Sequence, residues 1–103
     1  MSIISVYITH PDEQTAQTII DLLLKEKLIA CGNTFPIRST YVWQDTIENE
    51  NEYVSLVKTT LKHWNTLVET VESNHPYDVP CIVKYSIESN PAYEEWVKNS
   101  VRE

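Results

Sequence analysis

The stretch Leu28–Thr60, "LIACGNTFPIRSTYVWQDTIENENEYVSLVKTT", decides the fold. Its first half, as far as Trp43, is rich in β-branched and aromatic residues that favour strands, while Gly32, Asn33 and Pro36 interrupt it and predict a bulge or bend. The polar residues from Gln44 to Asn51 read as a hairpin arm and its turn. Tyr53, Ser55 and Val57 then alternate with Val54, Leu56 and Lys58 at the period of a strand. The centre of the chain is therefore a long antiparallel pair, and the flanking segments must pack around it.

Upstream, Ile4, Val6 and Ile8 alternate with Ser5, Tyr7 and Thr9 in a strand that stops at His10-Pro11. Asp12 offers a helix N-cap, and Ala16, Ile19, Ile20, Leu23 and Leu24 follow at helical spacing as far as Lys25 to Lys27. Downstream, Leu61, Trp64, Leu67, Val68 and Val71 predict a second helix that stops before "SNHPY" (73–77). Pro80 opens the strand "PCIVKYSI" (80–87), and Asn90-Pro91 starts a short helix carrying Tyr93, Trp96 and Val97. Two strand-helix-strand halves pack most economically as an α+β, ferredoxin-like sandwich, βαββαβ plus a C-terminal helix. The sheet is expected to be four-stranded and antiparallel, with helices on one face. Tyr53, Val57, Val83, Tyr85 and the residues around Trp43 exceed what two helices can hide, so apolar sheet surface should meet another subunit.

Residues 1–103 are the length of a single domain. Fifteen acidic against eight basic residues give a net charge of -7, which repels nucleic acid in the absence of a basic cluster, and the sequence shows none. That balance suits cation binding or simple solubility. An RNA-recognition module shares this strand and helix order, yet the acidic charge and the lack of its aromatic signature argue against it. Cys31 and Cys81 form no Cys-x-x-Cys pair, which fits reduced thiols. "MSIISVYITHPDE" has no basic leader region, and its apolar run is too short to span a bilayer, so a cytoplasmic protein is expected.

His75, in "SNHPYDVP" (73–80), is the leading candidate for chemistry. Imidazole is the commonest nitrogen ligand of borderline metals, and Pro76 and Pro80 stiffen the loop. The alternative is a histidine that only ends a helix. Cys31 is either a thiolate ligand for copper or zinc or a small buried hydrophobe. Lys58 needs a carboxylate, for which Glu52 is available, or an anionic ligand. Trp43 and Trp96 read as core or interface anchors. His10 is assigned to turn formation and His63 to solvent beside Lys62. "DTIENENE" (45–52) lacks the spacing of a calcium loop, and no phosphate-binding loop, dinucleotide fingerprint or serine triad occurs.

The combination Ala30-Cys31, Tyr41-x-Trp43, Lys58-Thr59, His75-Pro76-Tyr77 with Pro80, and Tyr93-x-x-Trp96 resembles the CutA family of divalent-cation tolerance proteins from the first strand to the last helix. The resemblance implies a homotrimer whose long hairpin strands pair across subunits, similar in architecture to PII signalling proteins. It also implies a role in tolerance of copper or other divalent ions, with no catalysis and no organic cofactor. Carried over by position, it places Cys31, Trp43, Glu52, Lys58, His75, Tyr77 and Trp96 around a cleft between subunits. Cys31 and His75, completed by Glu52, become ligands for Cu(II) or another divalent cation. The family's usual glycines in the hairpin and before the last helix are Asp45 and Ser89 here. Two other functions compete: an adaptor trimer sensing a small anionic metabolite or a partner protein, and an enzyme using His75 as general base beside Lys58.

Overall fold

A computed structural model describes residues 3–103, so residues 1 and 2 of the expected domain lie outside the described residues. Strands β1 (Ile3–His10), β2 (Cys31–Trp43), β3 (Thr46–Thr60) and β4 (Ile82–Ile87) alternate with helices α1 (Glu13–Lys25), α2 (Trp64–Asn74) and α3 (Pro91–Ser100). A single 3₁₀ turn, Leu61–His63, leads into α2. The sheet order is β2-β3-β1-β4 with every neighbouring pair antiparallel, as expected of the ferredoxin-like arrangement.

Local chemistry fixes the ends of α1. The Asp12 carboxylate accepts the Thr15 N–H at 2.8 Å, and this bond holds the carboxyl below its usual range. At the other end Leu28 N–H reaches Leu23 O at 2.9 Å and Lys27 N–H reaches Leu24 O at 3.0 Å, a Schellman closure with Lys27 at φ 56°. Leu23 and Leu28 meet in the core, which supplies the apolar contact that such closures carry.

The alternation in β1 sets the two sheet faces. Ile4, Val6 and Ile8 join Val57 of β3 against Ile19, Ile20 and Leu23 of α1 and Leu67 and Val71 of α2. Of the sheet residues that two helices were not expected to hide together, Val57 is fully buried under them. Ile3 and Ile87, from the opposite face, pack with Val97, Tyr93 and Val101. The third helix therefore covers one end of the face that α1 and α2 leave open, and the helices do not all lie on one side. What remains of that open face shows Val83, Tyr85 and Phe35 to solvent.

Strand β2 differs from expectation because it contains no bulge. Its pairing with β3 runs without a break from Cys31↔Lys58 to Trp43↔Thr46. Gly32 serves packing instead: a Cβ there would lie 3.0 Å from Ile20 Cδ1 and 3.2 Å from Val57 Cγ1. Pro36 is tolerated because β2 is an edge strand. The turn is also tighter than the expected polar arm. Gln44 (φ 50°) and Asp45 (φ 65°) alone form it, both left-handed as a type I′ hairpin requires, and Thr46–Asn51 are already strand. Ser89 is not among the residues with positive φ, so that departure from glycine carries no backbone strain.

Strand β1 pairs with β3 only between Tyr53 and Thr60. The segment Ile37–Trp43 paired with Thr46–Glu52 is consequently a two-stranded ribbon standing clear of the sheet. It gives the molecule its length, 44 Å against 25 and 21 Å in the other directions. Val42 and Ile47 near the tip are 69% and 72% exposed.

Candidate functional site

Two groups of side chains hold most of the residues singled out by sequence. The first straddles the end of β1. His75 follows the last turn of α2 with extended backbone angles (φ -92°, ψ 140°), the conformation that Pro76 imposes on its predecessor. Its ring lies between two others, with centroids 5.2 Å from His10 and 4.8 Å from Tyr77. The Tyr77 N–H donates to Nδ1 at 3.1 Å, and Nε2 donates to the Thr9 carbonyl at 2.8 Å. A backbone amide can only donate and a carbonyl can only accept, so these partners fix the Nε2–H tautomer. Both ring nitrogens are occupied.

Tyr77 continues the chain of contacts by donating its hydroxyl to Glu52 Oε2. Burial pushes the Tyr77 hydroxyl well above its ordinary range, and the Glu52 bond and charge add to that. Glu52 is itself buried and does not meet Lys58, the partner expected for it. Cys81 lies close enough for its thiol to be raised, first by burial and then by the Glu52 charge.

His10, expected in a turn, is the last residue of β1 and has no exposed surface. Its Nε2 shares a hydrogen bond of 2.7 Å with Ser55 Oγ, while Nδ1 has no partner among the described residues. Burial and the neighbouring His75 lower its pKa to about 4, against the opposing charges of Glu52 and Asp12. The signal was available in the sequence: position 10 continues the buried series Ile4, Val6, Ile8. His63, expected in solvent, is likewise buried, with Nε2 donating to the Arg102 carbonyl at 2.6 Å.

The second group lies on the open face under α3. Cys31 stands opposite Lys58 in the strand register, and its Sγ is 3.2 Å from Tyr93 Oη. That contact, with burial second, pushes the Tyr93 hydroxyl up to about 12. Trp96 packs on Tyr93 at 5.7 Å between ring centroids and stays 47% exposed, so it is not a core residue. Among the described residues Lys58 Nζ reaches only Asn33 Oδ1, at 3.5 Å. Helical spacing places Tyr93 in an apolar stripe with Trp96 and Val97, and its polar contact with Cys31 depends on where α3 docks.

Within one chain the two groups do not merge. Glu52 and Lys58 share the open face of β3 but are six positions apart, roughly 20 Å at strand rise. Trp43, 45% exposed, is twelve positions from Cys31 at the ribbon tip, roughly 40 Å away. Among the described residues no three His, Cys, Asp or Glu side chains converge as a ligand set for a metal ion. No described helix is long and apolar enough to cross a membrane.

A family model of CutA1 divalent ion tolerance proteins matches residues 4–100. The chain is 39% identical over 95 residues to the divalent-cation tolerance protein CutA of Pyrococcus horikoshii, covering 91% of this chain and 93% of that protein. The crystal structure of CutA1 from Oryza sativa superposes with a TM-score of 0.96 at 36% identity, covering 100% of this chain and 96% of that one. A structure described as the periplasmic divalent cation tolerance protein CutA from Archaeoglobus fulgidus gives 0.94 at 34% identity, covering 97% and 99%.

Proposed function

The chain belongs to the CutA1 divalent ion tolerance family, and we propose that it acts in tolerance of divalent cations by binding Cu(II) or a related ion at clefts between three copies of itself. One observation carries this reading. Cys31 and Glu52 face the same open side of the sheet yet stand roughly 20 Å apart in one chain, so only a neighbouring chain can bring the two groups together. The ribbon supports assembly on separate grounds. A two-stranded hairpin is marginal in water alone, and this one ends in exposed Val42, Trp43 and Ile47 beside the unpaired edge of β2.

In the assembled cleft, Cys31 supplies a thiolate and His75 a ring nitrogen, with a carboxylate oxygen from Glu52; Trp43, Lys58, Tyr77 and Trp96 form the walls. A metal at Nδ1 must displace the Tyr77 N–H, and Glu52 keeps one oxygen clear of the Tyr77 hydroxyl. Binding at such a site is weak and reversible, which suits tolerance more than permanent storage. Histidine and thiol together select copper or zinc over magnesium or calcium. The protein is a binder with no catalytic step, and its two free thiols suit the reducing cytoplasm.

A competitive Cu(II) titration of metal-stripped, reduced protein, run alongside light scattering, tests the reading. A trimer whose copper binding is lost in both His75→Ala and Cys31→Ser is expected. A monomer, or affinity unchanged in both variants, removes the site. A second reading, an adaptor trimer of the PII type with no catalysis, draws on one feature: Lys58 has no carboxylate partner among the described residues and could hold an anionic metabolite. Binding of such a metabolite that survives His75→Ala and is lost in Lys58→Gln would favour it.

A further inference from the structure

We propose that Tyr93 is a positioning residue of the cation cleft: α3 brings its hydroxyl to the Cys31 sulfur, fixes the direction in which that sulfur points, and supplies a hydrogen bond that strengthens when the sulfur holds a metal. This rests on the cleft proposed above and adds to it a residue outside the ligands and walls named there. The contact is direct. Cys31 Sγ and Tyr93 Oη lie 3.2 Å apart, although 62 positions separate them in sequence.

Both partners are tied to one small core. Ala30, next to Cys31, is buried with Ile3 and Val97, and Ile87, Tyr93 and Val101 pack against these three. Val97 lies one helical turn beyond Tyr93, and with no exposed surface it fixes how α3 sits on the sheet. The Ala30 N–H donates to the Lys58 carbonyl at 2.8 Å, which holds the backbone just before Cys31. The Trp96 ring, 5.7 Å from that of Tyr93 between centroids, stands beside the phenol. Packing on both sides of the bond thus delivers the hydroxyl to the sulfur. None of that packing needs the oxygen, because phenylalanine would fill the same stripe.

Donor chemistry gives the contact its direction. As a thiol, Cys31 is a weak donor and a weak acceptor, and either atom can supply the proton. A sulfur that binds a metal has lost its proton, so only the Tyr93 hydroxyl can then donate. A phenol, with an ordinary pKa of about 10, still carries its proton at neutral pH. A hydrogen bond to a charged acceptor is roughly twice as strong as one between neutral groups. The bond therefore favours the metal-holding state over the empty one, as the partners of ligands do in other metal sites. It also draws charge from the sulfur, a property visible in the spectrum of a bound ion.

The probe is Co(II) alone, which binds thiolates without oxidising them. Metal-stripped, reduced protein is titrated with it, and the sulfur-to-cobalt charge-transfer band is compared in the parent, Tyr93→Phe and Val101→Ala. Tyr93→Phe keeps the ring and removes one oxygen. It should weaken binding about tenfold and move the band to longer wavelength, because sulfur without the hydrogen bond gives up its electrons more readily. Val101→Ala trims the same core at a side chain that cannot hydrogen-bond to the sulfur, and should leave the band in place and the affinity near the parent's. The metal-free protein gives a second reading. By NMR, the Hα–Hβ couplings of Cys31 should report one side-chain rotamer in the parent and an average of rotamers in Tyr93→Phe. Band and affinity unchanged in Tyr93→Phe, couplings unchanged there, or equal effects in Val101→Ala would overturn the role of Tyr93 and leave the cleft standing. A parent without any such band would remove Cys31 from the cleft, and the role of Tyr93 with it.

Discussion

The body of this molecule and its ribbon are made from the same two strands and obey different physics. In the body, β3 is flanked on both sides, and its residues from Tyr53 onward sit between β1, β2 and two helices. In the ribbon the same strand has one neighbour and no helix, and its apolar side chains face water. The body's stability is thus internal to the chain, whereas the ribbon's must come from turn chemistry and from whatever packs on it. A protein that retains an exposed, apolar, two-stranded arm gains nothing from it as an isolated subunit.

The contrast is most sharply tested by equal truncations in the two regions. Leu23→Ala, at a site with no exposed surface, should lower unfolding free energy by about 3 to 4 kcal/mol. Ile47→Ala at the 72% exposed tip should change the stability of a lone subunit by less than about 0.5 kcal/mol while weakening self-association. Chemical denaturation at several protein concentrations separates the two effects. A large, concentration-independent loss for Ile47→Ala would show that the ribbon is part of the body.

A second prediction asks whether the body is as indifferent to pH as an apolar core would be. His10 titrates at about 4 in the folded protein and near 6.5 when unfolded. Between these values the unfolded chain takes up a proton that the folded one refuses, so stability is complete above about 6.5 and falls as the pH drops toward 4. The loss approaches about 3 kcal/mol and should flatten in His10→Gln. An unchanged slope in that variant would assign the effect to carboxylates. Overpacking gives a smaller signal: Gly32→Ala should cost about 1 to 2 kcal/mol, since the new methyl meets Ile20 and Val57 at 3.0 to 3.2 Å.

The sequence displays the body more fully than the site, and particular residues show why. Periodicity placed Ile4, Val6 and Ile8 correctly, because a face buried under helices leaves a period of two. The same rule extended two positions would have buried His10; the following proline drew attention to a turn instead. Gly32 and Pro36 carry two meanings, a broken strand or a close contact and an edge, and only the position of Ile20 and the strand order choose between them. The resemblance named residues from both side-chain groups, yet no spacing along one chain reveals that Cys31 and Glu52 are roughly 20 Å apart.

The smallest expected effect lies in the ribbon's turn, and it separates the two regions most cleanly. Gln44 and Asp45 hold φ values of 50° and 65°. Left-handed backbone is unfavourable for side chains with a Cβ, less so for aspartate than for glutamine. Asn-Gly is the pair best suited to a type I′ turn. The double change Gln44→Asn with Asp45→Gly should therefore stabilise the hairpin by about 1 kcal/mol and slow amide exchange in Ile37–Glu52 roughly fivefold. Exchange in β1 and α1 should not move, because those elements draw nothing from the turn. Protection that rises equally in both places would mean that ribbon and body unfold as one unit, and the distinction between them would then be one of shape alone.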